Sequence, residues 1–415
     1  MARSADVSMA SALLIALGLS PALGYATTFV VLALAGLAAV LLIGGGAERG
    51  APLSPALPVE WRVRATDRVS PALMFAIGWL MIVASALATV RTPADLVPLF
   101  GFSGLLLYVP VARFVGGARL GRYAVLGACV GLATALLYHF GFGMRRAGEG
   151  FWLTDPYRLA VTTLLCALLA LPLLRHASRD RWLAVAALAA ALVTIWLTGS
   201  RSALLGAAVL IGASMLVLFR SRLVWAMALG SAGLLGAALL FVELPGTARQ
   251  RLWDVLFSPR AAGTGPDAAL DIRGGLYRAG LELFSRSPLV GHGWGEATME
   301  KARLLLSTEQ LSWGRVAHLH NDALQFAVSG GLLGLFAYLL LLLAPFLAWL
   351  RLSPAARTPQ RLQALLVLVG GALVLGLADT FLAAPLTLTL YLLIGAAALE
   401  LPAPRDRRPP PPPAG

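Results

Sequence analysis

Long charge-poor runs of about 20 residues, separated by short stretches dense in arginine, set the pattern of this chain. At about 1.5 Å of rise per residue, such a run crosses the roughly 30 Å hydrocarbon core of a bilayer as one helix. The runs predict spans at 8–24, 26–46, 70–90, 95–115, 122–142, 157–175, 182–198, 202–219, 223–242, 321–350, 362–382 and 384–401. The first and last pairs form tight hairpins, closed at Ser20-Pro21 and at Ala384-Pro385. The first 25 residues, with Arg3 ahead of an apolar run, also suit a cleaved leader; the second apolar run that follows at once favours a membrane hairpin. Residues 243–320 break the pattern, and a long connection of this kind is usually functional or disordered. Its Leu, Trp and Phe predict short helices folded against the membrane part. The expectation is an all-α polytopic integral membrane protein with about 12 transmembrane helices and one large periplasmic loop. Helices 1–9 fall in 1–242, the loop in 243–320, helices 10–12 in 321–401, and a disordered Pro-rich tail in 402–415.

Composition supports this. Of 415 residues, 59% are hydrophobic and 13% charged, against about 45–50% and about 25% in soluble domains. A soluble enzyme, a disordered chain and a collagen-like rod are thereby excluded. The formal charge of +13 comes from 32 Arg and a single lysine, Lys301. Most of it lies in one set of alternating loops: Arg49, Arg62, Arg64 and Arg68; Arg113, Arg119 and Arg122; Arg175, Arg179 and Arg181; Arg220 and Arg222; Arg351, Arg357 and Arg361; Arg405, Arg407 and Arg408. The positive-inside rule puts this set and both termini in the cytoplasm. The opposite set holds Arg91, Arg145, Arg146, Arg158, Arg201 and the nearly neutral long loop, with nine basic and eight acidic residues. Nothing in this placement calls for nucleic acid. Cys129 and Cys166 lie in apolar runs and suggest neither a disulfide framework nor zinc.

Three places are not explained by topology. Arg201, in TGSRSALLG, sits on the side where positive charge is not selected, beside a Gly199-Ser200 turn that opens a helix. Snorkelling is the bland reading; backbone N–H groups at a helix start with an arginine fork also suit a phosphate. In DIRGGLYRAGLELFSRSPLVGHGWG, residues 271–295, a helix over 272–285 puts Arg273 on the face of Tyr277, Gly280, Leu281 and Phe284. Arg278, Glu282 and Arg286 then form a solvated ladder at four-residue spacing. A buried guanidinium needs an anion, either Asp254, Asp267 or Asp271 or a substrate phosphate. In HLHNDALQFAVSGGLLG, His318 and His320 are two apart, which excludes a pair sharing one helix face, and no metal site is expected. A neutral histidine suits a general base, and Asn321 or Asp322 can fix its tautomer or cap the following helix. Two arginines and a base on one face read as group transfer from a phosphate leaving group.

The last segment resembles the HN..L.......G..G signature of the O-antigen ligase and O-antigen polymerase superfamily, through His320, Asn321, Leu324, Gly331 and Gly334. TGSRSALLG is similar to that family's TxSRxxxxG element, with Arg201 at its arginine. Arg273, Tyr277, Gly280, Phe284, Pro288, Gly291 and Gly293 match its R...W..A...F...P..G.G element, with Tyr for Trp and Gly for Ala. RRAGEGFWLTDPYRLA, 145–160, is similar to a weaker outer element but carries Tyr157 where Asn is usual, which argues against a direct role for 155–158. The resemblance implies an undecaprenyl-diphosphate-linked O-antigen donor, a lipid A-core acceptor, inversion at the anomeric carbon, and neither metal nor cofactor. It implies His320 as base and Arg201 and Arg273 on the diphosphate, with His318, Asn321, Arg278, Arg145 and Arg146 as flanking substrate contacts. A polymerase of the same superfamily is the alternative, a protein O-oligosaccharyltransferase a third. A secondary transporter is the non-enzyme reading, and its site would lie near the bilayer midplane, where Asp379 in the expected eleventh span is the residue it could claim.

Overall fold

The computed structural model describes residues 2–47, 70–116, 120–150, 154–175, 180–219, 268–312 and 317–399. The expected span 223–242, the tail, and Arg49, Arg62, Arg64, Arg68, Arg119, Arg179, Arg220, Arg222, Arg405, Arg407 and Arg408 lie outside these residues. Among the described residues the chain is helical, with no strand. In order come α1 (Ala2–Leu23), α2 (Ala26–Ala47), α3 (Pro71–Thr89), α4 (Val97–Phe102), α5 (Tyr108–Val115), α6 (Gly121–Leu136), α7 (Pro156–Ala170), α8 (Asp180–Thr198) and α9 (Arg201–Leu218). After them come α10 (Ala268–Arg286), α11 (Glu296–Arg303), α12 (Thr308–Ser312), α13 (Asp322–Arg351), α14 (Pro359–Ala378) and α15 (Pro385–Leu399). Among the described residues, eight helical stretches are long and apolar enough to cross a membrane, and Met9–Leu23, Ala26–Val40 and Pro385–Leu399 are shorter apolar helices. The protein is a multi-pass α-helical membrane protein.

α7 runs through the centre. Every residue from Tyr157 to Ala170 is buried, as expected of a helix apolar on all sides. α6 packs on it through Gly127 and Gly131, which leave room for Cys166 and Thr163. The outer helices turn Leu80, Leu87, Leu205 and Leu377 outward, the apolar shell that a bilayer rather than water covers.

Three expected boundaries move. The first hairpin closes at Gly24, whose φ of 51° takes the left-handed conformation, and Pro21 lies inside the last turn of α1. The expected helix 95–115 is broken into α4, α5 and short 3-10 turns, where Pro98, Gly101, Gly104 and Pro110 interrupt the run. α14 ends at Ala378, so Asp379 is not within a span and 379–384 is an irregular strap before Pro385. The strap is as apolar as a helix, but the buried Asp322 carboxylate accepts hydrogen bonds from the Leu382 (2.7 Å) and Ala383 (3.0 Å) amides.

α13 also departs from a plain span. At Gly331 its backbone leaves the helix, with φ 62° and ψ −148°, and the turn at 288–293 fills the gap. The Leu332 amide donates to the Pro288 carbonyl (2.7 Å), while the His292 and Gly293 amides donate to Val328 (2.9 Å) and Ser329 (3.0 Å). Groups freed by the break are thus satisfied within the protein, as an apolar solvent requires. A Cβ on Gly331 would strike the Leu289 backbone, so the glycine is needed for close approach as well as for φ. Leu276, Leu283, Met299, Ala302, Leu306, Leu319 and Val328 form a small second core that ties α10 and α11 to α13.

Candidate functional site

The site forms at one end of the bundle, where loops expected on one side of the membrane meet. It begins with an alternation. Leu319 is fully buried in the small second core, and its amide donates to Gln325 Oε1 (2.9 Å). The segment around it is not helical, so His318 and His320, two apart, face together away from Leu319. Their rings meet edge-on, with centroids 4.3 Å apart.

Both rings face one carboxylate. His318 Nε2 lies 3.4 Å from Asp379 Oδ1, and His320 Nδ1 lies 3.3 Å from Asp379 Oδ2. With Nδ1 turned to Asp379, Nε2 of His320 is the nitrogen left for a substrate, on a side chain still a quarter exposed. His320 has φ 53°, the one non-glycine residue at positive φ among those described. Strain of that kind, of order 1–3 kcal/mol, persists only where surrounding contacts impose it. Burial drives the His318 imidazole down to about 4, against the pull of Asp379, so His318 is neutral at pH 7. Burial would raise the Asp379 carboxyl, but the facing His320 and the buried Arg158 guanidinium outweigh it and hold the group well below the usual carboxylate range.

Behind Asp379 lies Arg158, whose side chain is 2% exposed. Its guanidinium donates to the Thr380 carbonyl and to Thr380 Oγ1 (2.5 Å), with Asp379 Oδ1 at 4.0 Å and Asp155 Oδ2 at 3.8 Å. Asp155 caps α7 by accepting from the Arg158 amide (2.8 Å), and Tyr25 Oη donates to its other oxygen (2.9 Å). A buried charge is tolerated when paired in this way. Ligand atoms of His318, His320 and Asp379 lie within 4.8 Å of one another, a set able to hold a cation. Arg158 already presents a fixed positive charge to the same carboxylate oxygen.

The other expected residues fall into separate groups. Asn321 caps α13, its side-chain oxygen accepting from the Leu324 amide (2.9 Å), and its amide donates to the Leu377 carbonyl (3.4 Å). Of the two uses expected of Asn321, the structure shows the helix cap, while the carboxylate that faces His320 Nδ1 is Asp379. Arg273 is half-buried on α10, one turn before Tyr277. The buried face of α10 is Leu276, Ala279, Gly280 and Leu283, and Leu281, expected there, is exposed. The ladder on α10 is half formed: Arg286 pairs with Glu282 (2.5 Å), while Arg278 Nε reaches the Gly274 carbonyl (3.4 Å). Arg146 Nε donates to the Thr198 carbonyl (2.9 Å) and packs on the Gly199 turn that leads into exposed Arg201. Arg145 is exposed beside it. Gly206 of α9 packs on Leu375 of α14, which puts Arg201 at the Asp379 end of the bundle.

Arg158 and Tyr25 are not among the site residues expected from the sequence, and Asp379 enters there only as the residue a transporter could claim. The available signal was charge inside otherwise apolar runs, since ionisable groups in membrane proteins are costly and usually functional.

No curated protein matches the chain. A family model described as O-Antigen ligase matches residues 186–339, from the middle of α8 into α13, which takes in Arg201, Arg273, His318 and His320. Over this segment the chain is similar to the O-antigen ligase family.

Proposed function

We propose that the protein is an O-antigen ligase, a metal-independent inverting glycosyltransferase of the bacterial inner membrane. It moves O-antigen polysaccharide from undecaprenyl diphosphate to lipid A-core oligosaccharide at the periplasmic face, with both termini cytoplasmic. The observation that carries this reading is the Asp379–His320 contact (3.3 Å), which holds Nδ1 and leaves Nε2 as a base. His320 takes the proton of an acceptor sugar hydroxyl as its oxygen forms a bond to the anomeric carbon on the face opposite the diphosphate. The bond to the diphosphate breaks with its electron pair, and Arg201 and Arg273 receive the charge that develops. The proton on His320 leaves to solvent. His318, Asn321, Arg278, Arg145 and Arg146 line the approach of sugar and lipid head.

The test is transfer in proteoliposomes holding lipid-linked donor and core acceptor. His320→Ala, inserted and folded normally, is expected to lose about 10²–10⁴-fold in rate; full activity would exclude the base assignment. Activity is expected to survive EDTA, and loss restored by a divalent ion would turn the His318–His320–Asp379 set into a metal site. A polymerase of the superfamily would use the same donor chemistry with a second lipid-linked glycan as acceptor. Lipopolysaccharide from a deletion strain separates the two: loss of all O-antigen with accumulation of lipid-linked polymer fits ligation, and core capped with a single repeat fits polymerisation.

A further inference from the structure

The Tyr277 hydroxyl stands where three elements meet. It lies 3.1 Å from the His320 carbonyl and 3.2 Å from the Leu377 carbonyl at the end of α14, two residues before Asp379. Tyr277 itself is carried by α10, four residues after Arg273, and so on the same helix face. The Asn321 side chain, one residue after His320, donates to the same Leu377 carbonyl. A tyrosine donates one proton, and here two carbonyls compete for it. Burial raises the pKa of the hydroxyl, with Arg273 pulling the other way, so it remains a donor throughout the working range.

The carbonyl it holds belongs to the residue with φ 53°, the strained corner that turns the His320 ring toward Asp379. His320 lacks a glycine's freedom, so its conformation must be imposed from outside. Leu319 does so on one side by burial, and the Asn321 cap does so along the chain. Tyr277 is the contact from another element, and it comes from the helix bearing Arg273.

We infer that Tyr277 is a positioning residue, whose hydroxyl locks the base His320 in register with Asp379 and with the Arg273 helix. This rests on the proposed role of His320. Tyr277 touches no reacting atom; it acts through the backbone of His320. Loss of its hydroxyl leaves Arg273 and the imidazole in place and releases the corner, so turnover suffers more than donor binding.

The experiment compares Tyr277→Phe, Tyr277→Trp and His320→Ala with the intact protein in the proteoliposome assay, with thermal unfolding recorded for each. Tyr277→Phe is expected to lower kcat about 3- to 10-fold, the worth of one hydrogen bond. Donor KM is expected to change less than about 2-fold, so the loss falls on kcat. Tyr277→Trp, which keeps a ring-borne donor of its own, is expected to recover part of kcat. Unchanged kcat in Tyr277→Phe, or parallel loss of kcat, donor binding and thermal stability, would overturn the inference. His320→Ala separates the two levels. If it is inactive while Tyr277→Phe equals wild type, positioning alone fails; if it is fully active, the base reading itself fails.

Discussion

At the scale of single residues, one carboxylate serves two imidazoles, and the two are not alike. His318 is kept neutral by burial, so the contact that matters for an ionised Asp379 is the one to His320. Asp379→Asn is expected to slow transfer about 10- to 100-fold while leaving donor affinity near normal, and single-turnover rates against donor concentration would check it. His318 also ties stability to pH. Its folded value, about 4, lies below the ordinary 6.5, so between these the unfolded chain binds more protons and stability falls as pH drops. Asp379, depressed below its ordinary value, adds a further loss below about 3.8. Thermal unfolding in detergent from pH 7 to pH 4 should show the decline, and His318→Gln should flatten its upper part. Arg201→Lys and Arg273→Lys are each expected to cost activity, since lysine cannot form two parallel bonds to a phosphate; transfer rates at saturating acceptor would show it.

Elements were legible in the sequence to differing degrees, for reasons that particular residues make plain. Helices such as α3, α6, α8 and α9 follow from charge-poor runs because a bilayer selects apolar length directly. The strap 379–384 did not follow, because apolar composition there reads as helix and the acceptor that ends it, Asp322, lies about sixty residues earlier. The HLH segment showed its chemistry but not its geometry: two-residue spacing argued against a pair on one helix face, and the buried Leu319 turns both rings to one side of a non-helical segment. Arg158 was set aside because Tyr157 departs from the family pattern, yet its guanidinium is the most buried charge of the site. Periodicity reports which face of an element is covered; it does not report which loops meet. The break in α13 is an element-scale feature with its own test. Gly331→Ala puts a Cβ against the Leu289 backbone at positive φ and should destabilise by about 2 kcal/mol or more, freeing 287–295 to proteolysis.

For the whole molecule, the arginines divide by end. Arg357 donates to the Leu350 (2.6 Å) and Leu352 (3.0 Å) carbonyls, and Arg361 to Ala398 (3.1 Å), capping helix ends away from the His320 cluster. Orientation charge and site charge therefore sit at opposite ends of one bundle. In a variant with Cys129 and Cys166 replaced by Ala, Glu149→Cys is expected to react with an impermeant maleimide from outside, and Arg357→Cys only after permeabilisation. The reverse pattern would invert the molecule and remove the periplasmic reading.

The gap in α13 also bears on how the chain is made. Residues 288–293, which fill it, leave the ribosome before Gly331 does. The second half of α13 thus emerges with its partner already synthesised. Until that turn has docked, the break is a span with open backbone groups in lipid, a state that costs several kcal/mol per group. Docking of the 288–293 turn and burial of the break in α13 are for this reason coupled, and a defect confined to the turn is expected to expose the break.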